Sequence, residues 1–516
     1  MTSRRRVGRC GRTALKLLLP LAFALGSAAF TYATNPFTRH SVVKKTFRAE
    51  FTERGLVVSD RTAGLQLRQS LPYRALAVYA TGLNILATRY VASPRSTARD
   101  IEGIVADIHA LRFDPQGLLL ISGDHFSALF VRNLGVFYYP MLDRSLPGAG
   151  PDLAQDWRDR QLVYLQTLGH ALGWAAQARE LHTTVVTTGR RTVTGVNFYH
   201  RPSDTLYGML YALAALLGQE PARPAHYAED VHALETVEAA QHLLRRYGPA
   251  LRRHYADYLS GVLDHEGLLV RRDIRLSGAK DITERRSAFF DNVICWKTQQ
   301  LGMSLGLVPE DQAALSGMKR AILSTFWEDR SGHFLEDLST EADEGSYYSS
   351  DWLIVLATGF LNPEDAAERP YYERCVEYIR SIGVAEPLPL RYHADRRAHR
   401  QVPVVRLAVA SYGGDAVWSF WGMEYIKTLI LLHRSTGEAH YLDEAGRHLA
   451  AYEDAMLAHG GFPEVLDSRV ELLTTPLYRS IRQTGWVIGF EQAREMYRAE
   501  VARPGQVKIP ALAQAQ

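Results

Sequence analysis

From residue 100 onward one pattern constrains the fold more than any other: apolar residues recur three and four positions apart, segment after segment. Twelve stretches carry it, at 100–113, 127–142, 153–181, 204–217, 231–263, 291–305, 310–326, 349–360, 371–382, 417–433, 441–458 and 484–497. A strand-like alternation interrupts them once, as a hairpin at 183–188 and 191–198 turning on Gly189-Arg190. A short motif recurs at helix ends: Asp114-Pro115-Gln116-Gly117, Asp264-His265-Glu266-Gly267 and Asp329-Arg330-Ser331-Gly332, each followed by apolar residues. The Asp can cap a tight turn and the Gly accepts a positive φ, so each helix is expected to turn and leave as a short extended piece. The spacing between repeats is irregular, unlike the constant period of a solenoid, and a closed ring of helical hairpins is the expected architecture.

The 59 basic and 56 acidic residues of this 516-residue chain leave a net charge of +3, with the signs interspersed beyond the N-terminus. No nucleic-acid footprint is present. Arg4, Arg5, Arg6, Arg9 and Arg12 precede an apolar run at 17–33, the layout of an export signal or a signal anchor. Residues after about 34 are therefore expected outside the cytoplasm, periplasmic or extracellular, with membrane contact only through the N-terminal segment if it is uncleaved. The organisation reads as a signal or anchor at 1–33, an extension at 34–99, a helical ring at 100–500 and a disordered tail at 501–516. Within the extension, 47–58 reads as a strand pair and 71–90 as a helix. Cys10 lies before the apolar run, and Cys295 and Cys375 read as two buried thiols.

Three segments carry polar residues in a chemical pattern: Phe289-Phe290-Asp291-Asn292, Tyr412-Gly413-Gly414-Asp415-Ala416-Val417-Trp418, and Gly460-Gly461-Phe462-Pro463-Glu464-Val465-Leu466-Asp467 followed by Thr484-Gly485-Trp486. In this order they resemble the six-hairpin glycosidases, the clan of glucosidase I-like enzymes, trehalases and glucoamylases. The resemblance spans roughly residues 100–500. It implies an all-α (α/α)6 toroid and an inverting, exo-acting hydrolase of α-glucoside-like linkages, with no cofactor and an oligosaccharide or polysaccharide as substrate. It also implies Asp291 as general acid and Glu464 as general base.

Glycoside hydrolysis requires one carboxylic acid to protonate the leaving oxygen and a second carboxylate to activate water. Two aromatic residues before Asp291 would desolvate it, and the rigid Gly-Gly-Phe-Pro stretch would present Glu464 to a cavity. Against these stand plainer readings: Asp291 as a helix N-cap and Glu464 as an exposed loop acid. Phe130-Val131-Arg132-Asn133 is similar to a segment that holds sugar hydroxyls in related glucosidases, with Asn133 where the family has Asp. The expected binding residues are Arg132, Asn133, Asp204, Asp351, Tyr412, Asp415, Trp418 and Trp486. A catalytically inactive carbohydrate-binding toroid, or a toroid lyase or epimerase using His or Tyr as base, are the alternatives. Gly302-Met303-Ser304-Leu305-Gly306 copies a nucleophile-elbow pattern, but it closes a helix instead of joining a strand to one. His182, His200 and His393 lack metal-ligand spacing.

Overall fold

The computed structural model describes residues 47–52, 55–64, 66–90, 94–113, 118–119, 128–142, 151–187, 192–197, 200–219, 234–279, 282–339 and 348–503. The expected export segment at 1–33, most of the expected tail and the first of the three repeated turns lie outside the described residues. The helices are α1 (Leu71–Tyr90), α2 (Ile101–Arg112), α3 (Pro151–Ala175), α4 (Thr205–Leu216), α5 (Leu234–Val262), α6 (Phe289–Ser304), α7 (Gln312–Phe326), α8 (Ile354–Thr358), α9 (Arg369–Ile382), α10 (Pro403–Val409), α11 (Ser419–Thr436), α12 (Ala439–His459) and α13 (Val487–Val501).

Burial sorts these elements into two layers that alternate along the chain. All twelve residues of α4 are buried, and so is every residue of α11 from Ser419 to His433. A helix apolar all round has to be surrounded by protein, and these form the inner layer together with α6, α8 and α13. Helix α9 buries only Tyr372, Cys375, Val376 and Ile379, one stripe at helical spacing, as an outer helix should. The outer layer comprises α2, α3, α5, α7, α9 and α12; α3 is outer by its place in the alternation, its residues 161–175 being buried because the extension packs over it. The sixth inner position, between α2 and α3, is filled by two 3-10 turns, Val131–Leu134 and Tyr139–Leu142. The ring closes on itself: α12 packs on α2, and α13 packs on the turn at Tyr139–Leu142. The chain is a six-hairpin (α/α)6 toroid.

The expected helix at 127–142 is thus a correction. Its place is taken by the two-residue strand Leu129–Phe130 and the 3-10 turns. Pro140 cannot donate to a helical ladder, and Gly208 of α4 lies so close that an added Cβ would meet the Val131 carbonyl at 2.5 Å. The helix expected over 153–181 stops at Ala175, where the chain turns toward the strand Thr184–Thr187. That strand pairs with Thr192–Val196, Thr184 opposite Val196, as the expected hairpin. It belongs to a four-stranded sheet that also takes in Gln66–Leu67 and Leu129–Phe130.

The repeated turn is real at its two described copies: Gly267 (φ 71°) and Gly332 (φ 74°) occupy the left-handed region. Asp264 caps its turn by accepting from Leu268 N (3.1 Å). Asp329 instead pairs with Arg374 of α9 (2.5 Å). Both Cys295 and Cys375 are buried free thiols.

The extension packs on the outside of the toroid. Strands Phe47–Thr52 and Gly55–Asp60 pair antiparallel, the first lying against α3 and the second against α5, with the Phe47 ring seated where Gly169 has no side chain. Helix α1 runs across one end of the ring. It packs on the small sheet through Ala77, and its C-terminal end is tied down by Arg89 and Tyr90 donating to the carbonyls of Thr475 and Pro476.

Candidate active site

A cavity of about 490 Å³ opens between α1, α10 and the inner layer of the toroid. Glu464 reaches its wall because the backbone on both sides is clamped. Helix α12 ends at Gly460, whose φ of 62° provides a left-handed C-terminal cap. The chain then runs extended: Glu464 N donates to Ile481 O (3.1 Å), and Glu464 O accepts from both the backbone N and the Oγ of Ser419 (3.2 and 3.1 Å). The next two residues pair antiparallel with Val417–Trp418, just before α11 begins.

The Glu464 side chain is 2% exposed, so it is not an exposed loop acid. Its oxygens accept from two phenols, Tyr412 Oη to Oε1 (3.1 Å) and Tyr478 Oη to Oε2 (3.4 Å). Burial pushes its pKa up to about 7, opposed by those two hydrogen bonds. Burial also holds Tyr478 well above the ordinary phenol range, so it stays a donor.

Aromatic rings build the rest of the inner end. Trp418 stacks on Trp486 (centroids 5.8 Å, 26°), and Trp486 on Phe137 (4.8 Å, 30°). Trp418 Nε1 donates to Tyr412 O (2.7 Å), which fixes the tyrosine against the carboxyl. Arg132 also lines the cavity; it donates to Gly278 O and lies 3.5 Å from Asp204. Asp204 sits at the N-cap position of α4 but makes no side-chain cap bond.

Asp291 is not on the cavity wall. Helix α6 starts at Phe289 with Ala288 as N-cap, so Asp291 lies in its first turn and the N-cap reading does not hold. Ser203 Oγ donates to Asp291 Oδ1 (2.6 Å), and a Cβ on Gly278 would sit 3.1 Å from the same oxygen. The carboxyl therefore lies behind the Gly278–Ala279 backbone, and Ala279 forms the wall in front of it. Burial raises its pKa, while Arg285 and the Ser203 bond oppose the rise.

Of the ten expected site residues, five line the cavity: Arg132, Tyr412, Trp418, Glu464 and Trp486. Asp204 and Asp291 stand directly behind it. Asp351 is held elsewhere, between Arg285 Nη1 (2.5 Å) and Tyr392 Oη (3.0 Å). Asn133 is buried off the cavity wall, and Asp415 is half-buried away from it. Three contributors were not expected: Tyr478, Phe137 and the helix pair α1 and α10. Tyr478 follows Glu464 by fourteen residues in a segment folded back on itself through the Leu466–Leu472 and Thr474–Arg479 bridges. A tyrosine just after a Pro-Leu turn was the only sequence signal for it.

Replacing Tyr412 with Phe removes the shorter of the two donors to Glu464. A hydrogen bond to a carboxylate contributes about 1 kcal/mol or more, so the Glu464 ionisation should move up by about 0.5–1 pH unit. The acidic limb of the pH–rate profile reads this directly; an unmoved limb would remove Glu464 from the profile.

Among the described residues, no group of three or more His, Cys, Asp or Glu side chains is placed to hold a metal ion. No known family model matches the sequence. No curated protein matches it either. Solved structures with a similar chain course include a rhamnosidase from Klebsiella oxytoca with rhamnose bound (14% identity over 80% of this chain and 66% of that one, TM-score 0.45). A glucoamylase from Saccharomycopsis fibuligera aligns at 11% identity over 81% of this chain and 99% of that one, TM-score 0.49. A cellobiose 2-epimerase from Spirochaeta thermophila aligns at 13% identity over 72% and 86%, TM-score 0.41.

Proposed function

We propose that this protein is an extracytoplasmic glycoside hydrolase, inverting and exo-acting on α-glucoside-like linkages. One observation carries the reading: a buried carboxyl, Glu464, with both oxygens held by tyrosine hydroxyls beside a stacked tryptophan pair. Stacked rings offer a face to a sugar ring, and a carboxyl with a pKa of about 7 exchanges protons near neutral pH. Two donors aimed at the carboxyl favour its ionised form, which suits a general base that activates water. Asp291, raised by burial, is the general acid in this reading. Arg132, Asp204, Tyr412, Trp418 and Trp486 bind the sugar. The arginine cluster and the apolar run at 17–33 support export.

The test is turnover of aryl glycosides and oligosaccharides by the purified protein, with proton NMR in the first minutes. Inversion needs carboxyl groups roughly 6.5–9.5 Å apart, to admit a water; retention needs about 5–5.5 Å. The expected first product has the opposite anomeric configuration to the substrate. Retention would discard the Asp291–Glu464 pair as assigned. Sugar binding without any turnover would identify an inactive toroid.

A further inference from the structure

The walls of the cavity change character along its length. At its inner end stand the buried residues Glu464, Trp418, Trp486 and Arg132. At its rim stand Val78 and Leu86 from α1, Val404 from α10 and Leu477, all cavity-lining and all exposed. The apolar character continues onto the surface. Of the fourteen large hydrophobic side chains exposed among the described residues, seven lie on α1, two on α10 and one is Leu477. Leu407 on α10 is 83% exposed. Ten of fourteen on the three elements that border one opening is a patch, not the scatter expected of a soluble surface.

The sequence of α1 contains two charged residues, Arg74 and Arg89, and that of α10 one, Arg406; neither helix has a carboxylate. A helix this apolar belongs either in a core or against lipid. Among the described residues, no helix is long and apolar enough to cross a membrane. Apolar helices whose only charged residues are arginines suit the surface of an anionic bilayer, where aliphatic side chains enter the acyl region and the cations meet headgroups. The apolar run at 17–33 precedes Phe47 by thirteen residues, a reach of at most about 45 Å when extended. A chain anchored there would hold Phe47 within about 45 Å of the membrane.

The rim also limits what can leave the cavity. A further sugar unit crossing Val78, Leu86, Val404 and Leu477 would lose water from its hydroxyls and find only aliphatic groups, at a cost for each hydroxyl. A hydrocarbon chain would lose nothing and gain burial. We propose that the substrate is a glycoside of a lipid: its sugar enters toward Glu464 and its hydrocarbon aglycone lies across the α1–α10 rim, delivered from an anionic membrane on which that rim rests. This rests on the glycosidase reading and adds the substrate class to it.

The full chain, reconstituted in phosphatidylglycerol-containing vesicles, tests it with methyl, hexyl and octyl glycosides of the best sugar from the panel, below their micelle concentrations. Each methylene seated on the rim is worth up to about 0.8 kcal/mol, or about fourfold. The expected rise in kcat/KM from methyl to octyl is at least about 30-fold. Val404→Ser combined with Leu477→Ser should cut the octyl-to-methyl ratio by at least about fivefold, and a ratio is insensitive to partial loss of active protein. Equal kcat/KM across the series would overturn the inference and leave the glycosidase intact; so would a steep series that the double variant does not flatten, since the chain would then bind elsewhere. Failure to hydrolyse any member, methyl included, would strike the underlying glycosidase reading. A parallel measurement needs no turnover: octyl glycoside should perturb tryptophan fluorescence at lower concentration than methyl, through Trp418 and Trp486. A response independent of chain length would count against the lipid aglycone. If the 17–33 run itself occupied the rim, octyl and methyl glycosides would behave alike, and the proposal would fall by the same result.

Discussion

Glu464→Gln is expected to lower kcat by at least about 100-fold, the low end for loss of a general base, while leaving the protein folded. Glutamine keeps the shape and its carbonyl can accept from one of Tyr412 and Tyr478 while its NH2 meets the other hydroxyl, but it cannot take a proton. The pH dependence gives the role as well as the importance of the residue. A base must be ionised, and burial places this carboxyl at about pH 7, so wild-type activity should climb as pH rises through about 7. Activity that instead fell as pH rose through 7 would make Glu464 the proton donor and exchange its role with Asp291.

Stability should move the other way. In the unfolded chain Glu464 ionises near the ordinary glutamate value of 4.5, in the folded one near 7, so the folded state holds its proton more tightly. Its contribution is favourable below about 4.5 and is lost as pH rises from there to about 7, by linkage on the order of 3 kcal/mol. At pH 8, Glu464→Gln should therefore be at least as stable as wild type. A variant that is inactive and also markedly less stable would mean that the carboxyl props up the fold instead of serving chemistry.

The layers of the toroid were legible because inner and outer helices carry different patterns. Residues 205–216 offer no polar face at all, while 369–382 show one apolar stripe on a charged helix. Local spacing decides such elements. It failed at 131–142, where the inner position is filled by 3-10 turns under a tight approach to Gly208, which lies 77 residues beyond Val131 in sequence. Glu464 and Asp291 stood out by their flanking aromatic and glycine residues. Their separation into one carboxyl on the wall and one behind it did not, because it depends on where residues 276–279 and 282–283 lie. That segment is placed by pairing with Arg201–Pro202 on one side and Gln401–Val402 on the other, neither visible from its own composition. Asp351 looked like a sugar ligand beside Trp352, yet its partner Arg285 lies sixty-six residues away.

The largest stability effect is expected where the ring closes. Lys427 Nζ lies 2.6 Å from Glu424 Oε1, and neither side chain has any exposed surface. Tyr139 Oη donates to both Glu424 oxygens (3.0 and 2.8 Å), and Lys427 donates to Gln492 Oε1 (2.9 Å) and to Tyr139. The four residues come from α11, the inner turn at Tyr139–Leu142 and α13, so the network joins the first inner element to the last two. Lys427→Met would leave a carboxylate buried with no cation, a change that costs about 3–5 kcal/mol. That is a large share of the roughly 5–15 kcal/mol that holds a domain of ordinary stability together.

Replacing both charges, as Lys427→Met with Glu424→Leu, should recover most of the loss, because the uncompensated charge and not the missing attraction is what destabilises. Urea unfolding of the two variants decides it, and a double variant no better than the single one would refute the charge argument. The network also bears on the site: Trp418 and Ser419 open α11, and Trp486 immediately precedes α13. Ser419 is the residue that holds the Glu464 carbonyl. Loosening the two helices at Lys427 should therefore reduce activity in the single variant at urea concentrations well below its unfolding midpoint.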